Sequence, residues 1–96
     1  MKESQSLTNS LLMEVEFLSN RLRNIRQSCK TTENKALKVR LFSENKNIFK
    51  RVNEIYKIAE LLNKNNTEKI NFSNLLFEIA KRTLQENKFE RNLFFL

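Results

Sequence analysis

The sequence contains no glycine, no proline and no histidine, and it has a single cysteine. Because tight turns between strands favour glycine and proline, the absence of both predicts an all-α fold. Without histidine the chain lacks the commonest general base and metal ligand, and one cysteine cannot build a thiolate zinc site. Without glycine it also lacks the loops that cradle nucleotide phosphates. We therefore expect a protein that is not an enzyme and that holds no cofactor or metal.

Long apolar runs are also missing. No stretch approaches the ~20 apolar residues of a transmembrane helix, and Glu14 and Glu16 interrupt the N-terminal region before an apolar run of signal-peptide length. The single cysteine, Cys29, excludes an intramolecular disulfide and fits a reducing compartment. We expect a soluble, cytoplasmic, single-domain protein, and a membrane is the least favoured partner. The abundance of asparagine and lysine is typical of small proteins from AT-rich bacterial or phage genomes.

Residues 35–64 are predicted to form one long central helix, because no breaker interrupts them and their apolar residues recur at helical spacing. This segment would extend roughly 45 Å. Its apolar stripe is wider than a two-helix seam and is interpreted as either core or a self-association surface. The stripe comprises Leu41, Phe42, Ile48, Phe49, Val52, Ile55, Tyr56 and Leu62.

A first helix is predicted over residues 10–29, after a polar N-terminal tail of residues 1–9 with candidate capping residues at Thr8, Asn9 and Ser10. Its apolar residues recur at intervals of three and four, a coiled-coil spacing. Met13 and Phe17 lie beside this seam and predict a second flank that could meet a third element. The seam comprises Leu11, Val15, Leu18, Leu22, Ile25 and Cys29.

A third, amphipathic helix is predicted over residues 72–87, about half as long as the central helix. Thr31 or Thr32 is a candidate cap for the central helix, Asn65 and Asn66 are candidates for its end, and Thr67 or Asn71 could cap the third. Short connections favour antiparallel neighbours. We therefore predict an up-down-up three-helix bundle whose long central helix leaves apolar surface for a dimer.

The net charge of +7 is unevenly distributed, and six cations flank the first connection, with Glu33 as the only acid among them. Cations at the start of the central helix oppose its dipole, which hints at an anionic partner. The alternative is a solvated surface that keeps the protein soluble. We call this group the basic pole; it comprises Arg23, Arg26, Lys30, Lys35, Lys38 and Arg40.

Two single residues and the C-terminal tail can each be interpreted in two ways from the sequence. Cys29 is interpreted as a small core residue rather than a reactive thiol. Asn45 occupies a stripe position and is either a buried, register-setting amide or an outward residue. The apolar tail of residues 88–96 either folds back onto the central helix or exposes an anchor for a partner's groove. That anchor would comprise Leu93, Phe94, Phe95 and Leu96.

From these patterns we expect an interaction or scaffold module that binds another protein and itself. The alternative is a nucleic-acid-binding protein that uses the basic pole. That pole has no aromatic residue to stack on bases and no helix-turn-helix spacing, so its contacts would be mostly to phosphates.

Overall fold

The computed structural model describes residues 2–64 and 72–87, with side chains for residues 7–64 and 74–87. These residues form three helices, α1 (Lys2–Thr31), α2 (Lys35–Lys64) and α3 (Phe72–Glu86), and no strand. The all-α prediction is confirmed. Each helix contacts the other two, and the molecule measures 50 × 18 × 16 Å. Its radius of gyration, 15.5 Å, exceeds the roughly 12 to 13 Å of a compact chain this long, so the bundle is a rod.

Helix α1 is longer than the sequence predicted. It begins at Lys2 rather than at residue 10, and the expected polar tail is helical throughout residues 2–9. Thr8, which was expected to cap the helix, is instead buried inside it, one turn before the buried Leu11. No glycine or proline interrupts this segment, and the burial of Thr8 helps to offset the weak helix propensity of serine, threonine and asparagine.

Helix α2 has the predicted bounds, but its cap is neither Thr31 nor Thr32. Asn34 Oδ1 accepts a hydrogen bond from the Leu37 amide at 3.1 Å, and the Asn34 carbonyl accepts the Lys38 amide at 3.0 Å. The Thr31 hydroxyl instead donates to carbonyls of the last turn of α1. Asn34 caps α2 because it directly precedes the helix, where its oxygen reaches the third helical amide.

Helix α3 ends at Glu86, one residue before the predicted end. Asn87 forms a turn, and both its backbone amide and its side-chain amide donate to the Thr83 carbonyl, at 3.1 and 2.9 Å. The predictions for Asn65, Asn66, Thr67 and Asn71, and those for the tail of residues 88–96, lie outside the described residues.

The core consists of two adjoining clusters, and the partly buried Leu18 packs against both. Leu18 therefore makes the two clusters one continuous core. Tyr56 of α2 stacks on Phe77 of α3 with ring centroids 4.9 Å apart, a favourable aromatic geometry. One cluster comprises Leu22, Ile25, Cys29, Leu41, Ile48, Val52 and Ala80, and the other comprises Leu11, Val15, Ile55, Ala59 and Leu76.

Two residues with open interpretations face the core. Cys29 is buried, and this burial raises the pKa of its thiol more than nearby Lys38 lowers it. The core interpretation of Cys29 is confirmed. Asn45 is also buried, with 7% of its surface exposed, so the outward-facing alternative is wrong. A register-setting role for Asn45 stays a prediction.

Candidate interaction surfaces

The apolar stripe of α2 lies inside the bundle. Leu41, Ile48, Val52 and Ile55 are buried, and Phe42, Phe49, Tyr56 and Leu62 are partly buried. The length mismatch that suggested self-association through this stripe is absent between α1 and α2, since each has 30 residues. The four buried residues of the stripe, with Phe42 and Tyr56, therefore belong to the core.

The basic pole surrounds the three-residue connection between α1 and α2. Arg23, Lys30, Lys35 and Arg40 are exposed, and Lys38 is partly buried. None of these five side chains forms an ion pair with a carboxylate among the described residues. Residues 21–46 contain eight cations and two carboxylates, a net charge of +6. Residues 7–20 and 47–64 taken together have a net charge of zero, and so do residues 74–87. The excess positive charge of the described segments is thus concentrated around this connection.

Arg26 differs from the rest of the basic pole because its guanidinium is engaged inside the bundle. It donates to the Glu86 carbonyl at 2.6 Å and to Asn87 Oδ1 at 3.0 Å. A cation at the C-terminal end of α3 satisfies a free carbonyl and interacts favourably with the helix dipole. The structure therefore gives Arg26 a role in positioning α3.

Among the described residues, neither α2 nor α3 covers the second apolar flank of α1. Met13 and Phe17 are 71% and 69% exposed. Residue 13 is about 200° around the helix from residue 15, and Val15 is fully buried. Helices α2 and α3 both pack on the side of α1 that carries Val15, so Met13 and Phe17 face away from the bundle.

Met13 and Phe17 belong to a longer row on this outer face. Six residues recur along α1 at intervals of 3, 4, 3, 4 and 3, and all six are exposed. None is charged, although 30% of the chain is. A row at this spacing has the pattern of a coiled-coil seam, and no helix of the described part of the chain covers it. We call it the outer seam; it comprises Ser10, Met13, Phe17, Asn20, Asn24 and Gln27.

Two arginine–carboxylate pairs join α1 to α2. Arg51 donates to both Glu14 oxygens, at 2.5 and 3.0 Å, and Arg21 likewise donates to both Glu44 oxygens. These hydrogen bonds lower the pKa of each carboxyl, and desolvation opposes them only in part. The sequence prediction missed both pairs. The available signal was the seven-residue spacing from Glu14 to Arg21 and from Glu44 to Arg51, in the same order of charge, which pairs each carboxylate with an arginine when the two helices are antiparallel.

A shallow groove of about 290 Å³ lies between α1 and α3, lined by Glu16, Ser19, Asn20 and Ile79. It contains one carboxylate, and no group of three potential metal ligands occurs among the described residues. The candidate anchor Leu93, Phe94, Phe95 and Leu96 lies outside those residues. Within the described ranges no helix combines the length and the hydrophobicity needed to cross a bilayer.

The surfaces available for function are thus the outer seam and the basic pole. Comparison with protein-family models, with curated proteins and with solved structures finds no match for this chain.

Proposed function

We propose that this chain is a small non-catalytic protein-interaction module, and that the outer seam of α1 is its binding surface. The observation that carries the proposal is the exposure of Met13 and Phe17, 71% and 69%, one turn apart on an uncharged helix face. Large side chains at positions i and i+4 are the anchors by which one helix docks against another.

We also infer that the three helices run up, down and up. The pairs Glu14–Arg51 and Arg21–Glu44 support this order, since seven residues forward along α1 correspond to seven residues back along α2. Ser19 shares a groove with Ile79, and Arg26 reaches Asn87. Both α1 and α3 therefore advance in the same direction. With this order Met13 and Phe17 lie opposite both packed neighbours, while Asn20 of the outer seam also lines the groove beside α3.

Free-energy magnitudes favour a binding role for this seam. Complete burial of a Phe or Met side chain contributes roughly 1.5 to 3 kcal/mol, and neither side chain contributes much of this inside the bundle. Uncharged seam residues are also cheaper to desolvate than the charged residues of the other helix faces. A partner helix would therefore gain most of its affinity at Met13 and Phe17.

The proposal is tested by affinity purification from native lysate with nuclease-treated and untreated samples. The wild-type chain should retain protein partners in both samples, and Phe17→Glu should lose them without loss of helicity. Leu61→Glu is the matched control, because Leu61 is 60% exposed on α2 and lies outside the outer seam. Equal retention by wild type and Phe17→Glu would contradict the proposal.

The second candidate function is binding of nucleic-acid phosphates by the basic pole. It is favoured by the net charge of +6 over residues 21–46 and by five cations without ion pairs among the described residues. Arg23, Lys30, Lys35, Lys38 and Arg40 would contact phosphates rather than bases, so binding would not depend on sequence.

A salt titration with an arbitrary duplex or single strand decides this candidate. If the pole binds phosphates, affinity should fall steeply with salt, and Lys35→Glu with Lys38→Glu should flatten the slope. The matched control is Lys50→Glu with Lys57→Glu, which changes the charge equally on the exposed face of α2. We expect no binding below about 100 μM near physiological salt, whereas non-specific binders reach roughly 10⁻⁴ to 10⁻⁶ M. Binding in that range would instead support nucleic-acid binding by the basic pole.

A further inference from the structure

We propose that the occupant of the outer seam is a second copy of this chain, with the two α1 helices antiparallel about a two-fold axis between Leu18 and Ser19. This inference rests on the proposed function of the seam and names its partner. Opposite charges beside the seam favour this pairing.

In an antiparallel seam, each residue faces a residue equally far on the other side of the axis. An axis between Leu18 and Ser19 places Phe17 opposite Asn20 of the second copy and Met13 opposite Asn24. The two Phe17 residues then lie about 4.5 Å apart along the helix axis, given a rise of 1.5 Å per residue. The four bulky side chains form one central apolar patch between the copies.

The residues at the edges of the seam have opposite charges in this register. Glu16 and Arg23 lie on the same edge, and their midpoint is within one residue of the proposed axis, so Glu16 of each copy faces Arg23 of the other. Both residues are exposed, and neither forms an ion pair with another described residue. Edge positions of this kind select register and orientation in paired helices.

Other registers bring like charges together. If one helix slides by one heptad in one direction, Glu16 lies opposite Glu16 of the second copy. If it slides by one heptad in the other direction, Arg23 lies opposite Arg23 of the second copy. A parallel pair would also bring together two segments of residues 21–46, each with a net charge of +6. In the antiparallel pair, the centres of residues 21–31 of the two copies lie roughly 22 Å apart along the helix axis at a rise of 1.5 Å per residue, about twice the Debye length of about 10 Å at 0.1 M salt.

The patch is small, and we therefore expect a dissociation constant of roughly 1 to 100 μM, as for weak interfaces of limited area. Sedimentation equilibrium should show the wild-type chain passing from 11.5 kDa to twice that mass as its concentration crosses this range. Phe17→Glu should remain monomeric, and Leu61→Glu should associate like the wild type. A wild-type chain that stays monomeric up to about 200 μM, above that range, would overturn the inference.

Oxidative cross-linking tests the orientation. Met13→Cys alone and Asn24→Cys alone should give no disulfide-linked dimer, whereas their equimolar mixture should give a 13–24 linked dimer. The wild-type chain with its buried Cys29 is the control for the oxidant. Linked dimers from either variant alone would indicate a parallel pair and would overturn the proposed arrangement.

A charge exchange tests the register. Arg23→Glu should weaken association on the order of tenfold, because two attractive pairs per dimer become repulsive. Adding Glu16→Arg to the same chain should restore it. Unchanged affinity in Arg23→Glu would overturn the register. If the wild-type chain is monomeric but its retention of lysate proteins still requires Phe17, the proposed dimer is wrong and the proposed function stands. If retention of lysate proteins does not require Phe17, the proposed function is wrong.

Discussion

Individual apolar side chains contribute very differently to this bundle. Ile55 is completely buried among residues of α1, α2 and α3, whereas Leu61, six residues later on the same helix, is 60% exposed. A cavity in the core loses both transfer free energy and packing contacts, and truncation of an exposed side chain loses little of either. The free energy of unfolding should therefore distinguish the two positions.

Ile55→Ala is predicted to lower the free energy of unfolding by about 2 to 5 kcal/mol. Leu61→Ala should change it by less than about 0.5 kcal/mol. Urea denaturation of both variants, compared with the wild type below the concentration at which it associates, checks the difference. Similar losses at the two positions would mean that the orientation of α2 is wrong.

Residue spacing predicted most of the described core, including Val15, Leu22 and Val52. It did not predict the exposure of Phe17, because spacing indicates which residues share a face and not whether another element covers that face. For Asn45, spacing likewise did not indicate whether the residue is buried. Its position in the stripe was visible in the sequence, but its burial depends on the packing of the helices around α2.

At the scale of helices, α1 and α2 are joined by a continuous core and by two bidentate ion pairs. Because Arg21 and Arg51 lower the pKa values of Glu44 and Glu14, both carboxylates bind protons less readily in the folded state than in the unfolded chain. Their stabilisation is present above the unfolded pKa of about 4.3. It is lost as the pH falls through the lower, folded pKa values.

Glu14→Gln and Glu44→Gln are each predicted to lower the stability at pH 7 by about 0.2 to 1 kcal/mol, as expected for partly exposed pairs. The difference from wild type should shrink as the pH falls below about 4. Thermal unfolding across this pH range measures both effects. Glu78→Gln, at an exposed carboxylate of α3, is the control, and a difference from wild type that persists in acid would argue against the ion pairs as its source.

The bounds of α2 were predicted correctly, whereas the start of α1 was not. The bounds of α2 were visible in the sequence because its apolar residues recur without a breaker over residues 35–64, although the cap is Asn34 and not the predicted Thr31 or Thr32. The start of α1 was not, because Thr8, Asn9 and Ser10 resemble caps and the burial of Thr8 inside the bundle depends on tertiary packing. The outer seam shows a heptad spacing as regular as that of the buried seam, but only two of its residues are large and apolar.

At the scale of the molecule, the two core clusters share Leu18 and therefore should not unfold separately. Tyr56 packs against one cluster and stacks on Phe77, which packs against the other. It is the only tyrosine in a chain without tryptophan. Its fluorescence consequently reports on the junction between the clusters.

Thermal unfolding followed by Tyr56 fluorescence is predicted to coincide with unfolding followed by far-ultraviolet circular dichroism, as for a two-state domain. The two midpoints should agree within error in the wild type, and Ile55→Ala should shift both equally. Separate midpoints would indicate that the two halves of the rod unfold independently.

The burial of Cys29 makes its rate of alkylation a measure of local opening in the native protein. It is the only thiol in the chain, it is 3% exposed, and burial raises its pKa. Because alkylating reagents attack the exposed thiolate, the native protein can be modified only when the last turns of α1 separate from α2. The rate of alkylation therefore measures how often that end of the rod opens, without any label or substitution.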